Sequence, residues 1–155
     1  MADGYNFKQL KLAILPLSQS ENWEAVCKEW ALHSIIEADK PETCLCGHFP
    51  IIEICSIRNK LTGNLAEVGN ICVKRFLGLR SDLVFTALKR VRIHPDKSLN
   101  AEAAIFFHSV GVLNDWEYMF TTDTLRKRDL SVKQTNMRVK INAKVLAAVE
   151  RRGIT

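Results

Sequence analysis

The sequence predicts an α+β fold, predominantly helical, built around one small β-hairpin module. Three observations carry this. Residues 42–55 read ETCLCGHFPIIEIC and run into an alternating, isoleucine-rich stretch bounded by turn residues, which is a strand signal. Apolar residues recur at helical spacing before and after that stretch. The last third of the chain carries helix caps and helical periodicity throughout. A length of 155 residues fits a single domain over 1–155 and suffices to bury a hydrophobic core. Within it the sequence marks a hairpin–helix module at 42–78 and a helical C-terminal region at 98–155 with a basic tail.

Taken in order, SENWEAVCKEWALHSIIEAD (20–39) predicts a helix capped by Ser20, with Trp23, Val26, Cys27, Trp30 and Ile35 near helical spacing. Cys27 falls on its apolar face as a core residue. Lys40 precedes Pro41 and so leaves the helical region, which ends the element. PIIEICSIRN (50–59) predicts a strand, NKLTGN a turn, and LAEVG (65–69) the returning strand. GNICVKRFLGL (69–79) predicts a short helix opening at Gly69. SDLVFTALKRVRI (81–93) predicts another, capped at Ser81 and stopped before Pro95.

SLNAEAAIFFHSVG and LNDWEYMF predict two short helices with Asn or Ser caps. LSVKQTNMRVKINAKVLAAVERRG (130–153) predicts a long one, with Ser131 at its N-cap and Gly153 beyond its end. On a helical wheel Val132, Val139, Leu146 and Val149 face the core, while Lys133, Lys140, Lys144 and Arg151 face solvent.

The hydrophobic fraction of 47% and charged fraction of 25% are ordinary for a globular protein. No window approaches the roughly 18 apolar residues of a transmembrane helix, so no membrane role is expected. The start, MADGYNFKQLKLAILPL, has an acidic residue ahead of a short apolar run and no small-residue cleavage site, so it reads as mature protein and not a signal peptide. The expected location is cytoplasmic. There thiols stay reduced, and clustered cysteines favour a metal over disulfides.

Cys44, Cys46, Cys55 and Cys72, with His48, supply the donors. A tetrahedral structural Zn2+ needs four thiolate or imidazole ligands. Cys44-x-Cys46-Gly47 makes a knuckle, the hairpin returns the chain, and Cys72 opens the following helix, where the dipole favours a thiolate. Knuckle, hairpin and helix-borne ligand form a treble-clef-like layout. It departs from the common pattern in having C-x-C for C-x-x-C and one helix cysteine instead of two. The fourth ligand is then Cys55 or His48, and a thiolate-rich set favours Cys55.

The motif C-x-C-G-H, then I-x-N-x-x-T-G (57–63), then V-G-x-x-C-x-x-x-F (68–76) resembles that of small zinc-binding proteins of phages, large DNA viruses and their hosts. The resemblance covers 44–76 and implies Cys44, Cys46 and Cys72 as ligands. RKRDLSVKQ near the C-terminus is similar to phage or bacterial sequences, which implies a host cytoplasm for a phage-encoded chain.

Catalysis is not expected. H-x-E…P-C-x-x-C, H-E-x-x-H, the P-loop and G-x-S-x-G are all absent. Four protein ligands leave no open metal position, and Glu53, the nearest candidate base, reads as a solvent-facing strand residue. His33, His94 and His108 are scattered singly on helices or at helix ends and read as structural. No small-molecule substrate is expected.

Charge points elsewhere. Residues 124–155 carry nine Lys or Arg against two acids. A basic tail on a near-neutral body suggests a polyanionic partner, DNA or RNA. The candidate contacts are Lys74, Arg75, Arg126, Lys127, Arg128, Lys133, Lys140 and Lys144. Phe49 is a stacking candidate on the knuckle. The alternatives are a host protein of transcription, replication or defence, with Trp116, Tyr118 and Phe120 as an aromatic anchor or as helix core, and, less favoured, a zinc-finger nuclease.

Overall fold

A computed structural model describes residues 4–153. The chain is a mixed α+β protein with seven α-helices and a four-stranded sheet among the described residues. It divides into two compact units, one formed by residues 1–80 with 150–155 and the other by 81–149.

The first unit begins with α1 (Tyr5–Ile14), which the sequence reading did not assign. It buries Phe7, Leu10 and Ile14 at i, i+3 and i+7, a single helical stripe. A 3-10 turn at Leu15–Leu17 leads to α2 (Trp23–Glu29). Asn22, not Ser20, caps α2, and its side chain accepts from the N–H groups of Glu24 and Ala25. The helix expected over 20–39 stops at Glu29. Residues Trp30–Glu42 form β1 instead, so His33 lies on a strand. The reason is tertiary: Ile35 and Ile36 pair with Cys55 and Ile54 of β2 (Ile51–Asn59), and β-branched side chains pack well on such a pleated surface.

The predicted hairpin is present, with β3 (Leu65–Val68) returning antiparallel to β2. Its turn is held by Asn59, whose Oδ1 accepts from Leu61 and Thr62 N–H at 2.8 and 3.0 Å. Gly63 sits at φ +79°, where a Cβ is disfavoured. Next comes α3 (Asn70–Leu77), closed by Gly78 in the left-handed conformation at φ +70°. Gly69 just before it is closely packed: a Cβ there would meet Ile51 Cγ2 at 3.2 Å, so that side chain would have to give by a few tenths of an ångström. Trp23 stacks on Phe76 of α3 at 5.0 Å, and Phe7 meets Trp23 edge-on at 5.9 Å, which ties the three helices together.

The sheet order is β3-β2-β1-β4, the last strand being Glu150–Arg152, parallel to β1. The C-terminal region is therefore not all helix, because 150–152 cover the edge of β1. Arg152 then reaches Glu42 at 2.8 Å and Glu67 at 2.6 Å.

The second unit holds α4 (Ser81–Ile93), α5 (Ala101–Ser109), α6 (Asp115–Thr124) and α7 (Val132–Ala148). Phe85, Leu88, Leu99, Phe107 and Leu113 are its fully buried large side chains. Ser131 caps α7 as expected, in a reciprocal box with Gln134. The helix ends at Ala148 and not near Gly153. Its buried face differs in part from the expected one: Val149 is buried and Leu146 half-buried, but Val132 is 79% exposed and Val139 is exposed, while Arg138, Ile141, Asn142 and Val145 are buried. These four lie at i, i+3, i+4 and i+7, and the two polar members satisfy carbonyls of the α4–α5 loop and of the last residue of α6.

Candidate metal centre and basic cleft

The hairpin module gathers Cys44, Cys46 and Cys72, all buried, with their sulfurs within 4.8 Å of one another. The local chain explains the convergence. Gly47 at φ +93° lets its N–H reach back to the Cys44 carbonyl at 2.8 Å, and Cys44 N–H bonds the His48 carbonyl at 2.9 Å. This turn points both knuckle sulfurs inward. Leu45 N–H donates to Glu67 O on β3 at 3.2 Å, which docks the knuckle on the hairpin. Cys72 arrives from the first turn of α3.

Backbone amides point at two of the sulfurs: Gly69 N–H donates to Cys44 Sγ at 3.3 Å, and His48 N–H to Cys46 Sγ at 3.4 Å. The Cys72 thiol donates to Cys44 Sγ at 3.6 Å. That bond, helped by the amides, lowers the Cys44 pKa to about 5. Cys72 is pushed up by donating to Cys44, and Cys46 is pushed up first by burial. Three buried thiols with a thiolate among them and N–H donors around them could hold a soft divalent metal.

Cys55 and His48 are placed differently from one another. Cys55 is fully buried on β2 and its thiol donates to Asn70 Oδ1 at 3.4 Å, while Asn70 Nδ2 donates to Glu53 Oε1 at 2.7 Å. It does not join the three-sulfur group. His48 is exposed and lines a cavity of about 370 Å³ together with the three cysteines, Glu53 and Arg75. Glu53 is thus half-buried and engaged by Asn70 instead of facing solvent.

The basic candidates fall in separate places. Lys74 and Arg75 lie in the last turn of α3 in the first unit. Arg126, Lys127 and Arg128 belong to the second unit, where they line a polar cavity of about 650 Å³ with Arg90, Lys97 and Arg138. Two carboxylates, Asp96 and Asp129, line it too. Arg138 and Lys97 are contributors that the sequence reading did not single out. Lys133 and Lys140 are exposed on α7 and do not line the cavity. Lys144 is bound to Glu117 at 2.8 Å.

Among the aromatics, Phe49 is 59% exposed. Trp116 is 57% exposed and stacks on Phe120 at 5.5 Å, and Tyr118 stacks on His108 at 4.3 Å. Compared with known proteins, the chain matches no protein-family model, no curated protein and no solved structure. No helix among the described residues is long and apolar enough to cross a membrane.

Proposed function

We propose that the chain is a non-catalytic zinc-binding protein that binds nucleic acid through its basic helical surface. Zinc serves as a structural cofactor in the treble-clef-like module of the first unit, and phosphate contacts come from the second. The observation that carries the binding role is the cleft in which six cationic side chains outnumber two carboxylates. The zinc assignment rests on the buried three-cysteine group and its N–H donors. For the fourth ligand we assign His48, because it lines the same cavity as the three sulfurs whereas the Cys55 thiol is turned to Asn70. The phage-type resemblance of the 44–76 motif fits a small host-directed binding protein.

The test has two arms. Metal content by mass spectrometry of wild type, His48→Ala and Cys55→Ser should give one zinc per chain, lost in the histidine variant and kept in the serine variant. Fluorescence anisotropy with labelled DNA and RNA should show affinity that falls steeply with salt and with Arg126, Lys127 and Arg128 neutralised together. Binding untouched by that triple change sinks the cleft as the contact surface. A second reading, docking to a host protein, draws on the exposed Trp116–Phe120 stack beside exposed Met119 on α6. It predicts a pull-down that survives nuclease and moderate salt and is lost with Trp116→Ala.

A further inference from the structure

We propose that the cleft of the second unit is a receptor for a phosphomonoester, the terminal phosphate of a nucleic-acid strand or of a nucleotide, with Arg138 as its fixed guanidinium. The proposal rests on the nucleic-acid reading and sharpens it.

The argument starts from Arg138. Its side chain lines the cavity yet is only 9% exposed. It donates to the Thr124 carbonyl at 2.6 Å and to the Asp96 carbonyl at 3.5 Å, and among the described residues no carboxylate forms an ion pair with it. Burying a charge is costly and neutral carbonyls only position it; the nearby Asp96 carboxylate compensates in part, but burial and Arg90 outweigh it and leave the Arg138 pKa lowered. Arg90 adds to the excess: after burial, its proximity is the next cause that lowers the Arg138 pKa. Two guanidinium groups that repel each other beside a polar cavity are stabilised by an anion between them.

The cavity selects which anion. Its volume of about 650 Å³ lies within the usual range of small-ligand pockets. A phosphodiester carries one charge and continues as chain on both sides. A phosphomonoester carries nearly two charges at neutral pH, presents three terminal oxygens and is attached on one side only, so it enters a cavity end-on. Arginine forks match that geometry better than lysine ammonium groups. Arg126, Lys127 and Arg128 are exposed and line the same cavity, where they can hold the next phosphates of an entering strand. Lys133 and Lys140 lie outside the cavity and supply no terminal-phosphate contact.

The test compares single-stranded oligonucleotides of one sequence with 5′-phosphate, 3′-phosphate or two hydroxyl ends, by fluorescence anisotropy at physiological ionic strength. A nucleoside 5′-monophosphate serves as competitor and is also titrated alone by calorimetry. The expected result is about tenfold or greater preference for one phosphorylated end over the hydroxyl form. Arg90→Gln should abolish this preference while leaving the thermal midpoint near wild type. Arg138→Lys, which keeps the charge but not the fork, should reduce it. Full competition by the monophosphate would identify a free nucleotide as a sufficient ligand. Equal, salt-sensitive binding of all three oligonucleotides overturns the phosphomonoester receptor and leaves the nucleic-acid reading standing. Calorimetric binding of the monophosphate with no oligonucleotide binding upholds the receptor and overturns the nucleic-acid reading. No binding of any probe overturns both.

Discussion

Asn59 offers the sharpest test of how the first unit is held together. Its side chain is fully buried and makes three bonds: Nδ2 donates to Glu29 Oε1 at 2.8 Å, and Oδ1 accepts from Leu61 and Thr62 N–H. Glu29 also receives the N–H groups of Gln19 and Ser20, both at 2.8 Å. One amide thus joins α2, the segment before it and the hairpin turn. Asn59→Ala removes a bond to a carboxylate, worth roughly 1.5–3 kcal/mol, and two bonds to amides that water can partly replace, each near the low end of roughly 0.5–1.5 kcal/mol. The expected loss is about 3 kcal/mol. For a unit of this size it corresponds to a thermal midpoint lower by roughly 12–24 °C. Urea unfolding followed by circular dichroism, with zinc present throughout, measures it. A loss under about 1 kcal/mol would show that the network is ornamental and refute the reasoning. Asn59→Asp supplies an independent signature. It sets a second carboxylate against Glu29, so its deficit relative to wild type should shrink as pH falls from 7 towards 5 and one of the pair takes a proton. A deficit independent of pH contradicts the placement of Glu29.

Further expectations follow from the same geometry. Cys44→Ser, Cys46→Ser and Cys72→Ser should each lose bound metal, whereas Cys27→Ser, in α2 outside the group, should keep it. Chelation of wild type at a free metal level near one hundred times its dissociation constant should remove about 2.7 kcal/mol of stability, read as a fall in the thermal midpoint. The Glu29 carboxyl is held at about 2, first by Asn59, and Glu67 is lowered by Arg152, against an ordinary value of 4.5. Both contributions are complete above pH 4.5 and fade as pH falls through their folded values. Acid titration of stability should therefore steepen below 4.5, and Glu29→Gln should flatten that slope while lowering stability at neutral pH. On α7, Val132→Ser should change stability by less than about 0.5 kcal/mol, and Val145→Ala should cost about 1–3 kcal/mol.

Much of the hairpin module is legible in sequence because its signals are local. Asn59, Thr62 and Gly63 of I-x-N-x-x-T-G each perform a turn function: Asn59 accepts turn amides, Thr62 Oγ1 bonds Leu17 O at 3.0 Å, and Gly63 takes a positive φ. Cys44, Cys46 and Cys72 converge because a glycine turn and a helix start place them, and both are visible from residue type. What sequence does not show is the partner of a distant strand. Trp30–Glu42 carries a plausible helical pattern, and only pairing with β2 and with Glu150–Arg152 makes it extended. The same holds for Cys55, whose alternating position on β2 says which face it shares but not that Asn70 waits there for its thiol.

The misread face of α7 has a more general cause. A hydrophobic wheel assumes that the buried stripe is the apolar one, yet here the stripe contains Arg138 and Asn142. Asn142 Nδ2 donates to the Pro95 and Lys97 carbonyls at 2.8 and 2.7 Å, and Arg138 binds the Thr124 carbonyl. The Pro95 and Lys97 carbonyls belong to the loop between α4 and α5, and Thr124 is the last residue of α6. Loop carbonyls carry no neighbour-independent signal in sequence, but once buried they demand donors. The two polar side chains on α7 supply them, and this requirement outweighs the modest gain from burying Val132 or Val139. The cleft is a consequence of the same choice. A helix that spends a buried position on an arginine to hold the 94–98 loop and the end of α6 also brings a guanidinium to the cavity lined by residues 96–98 and 125–130.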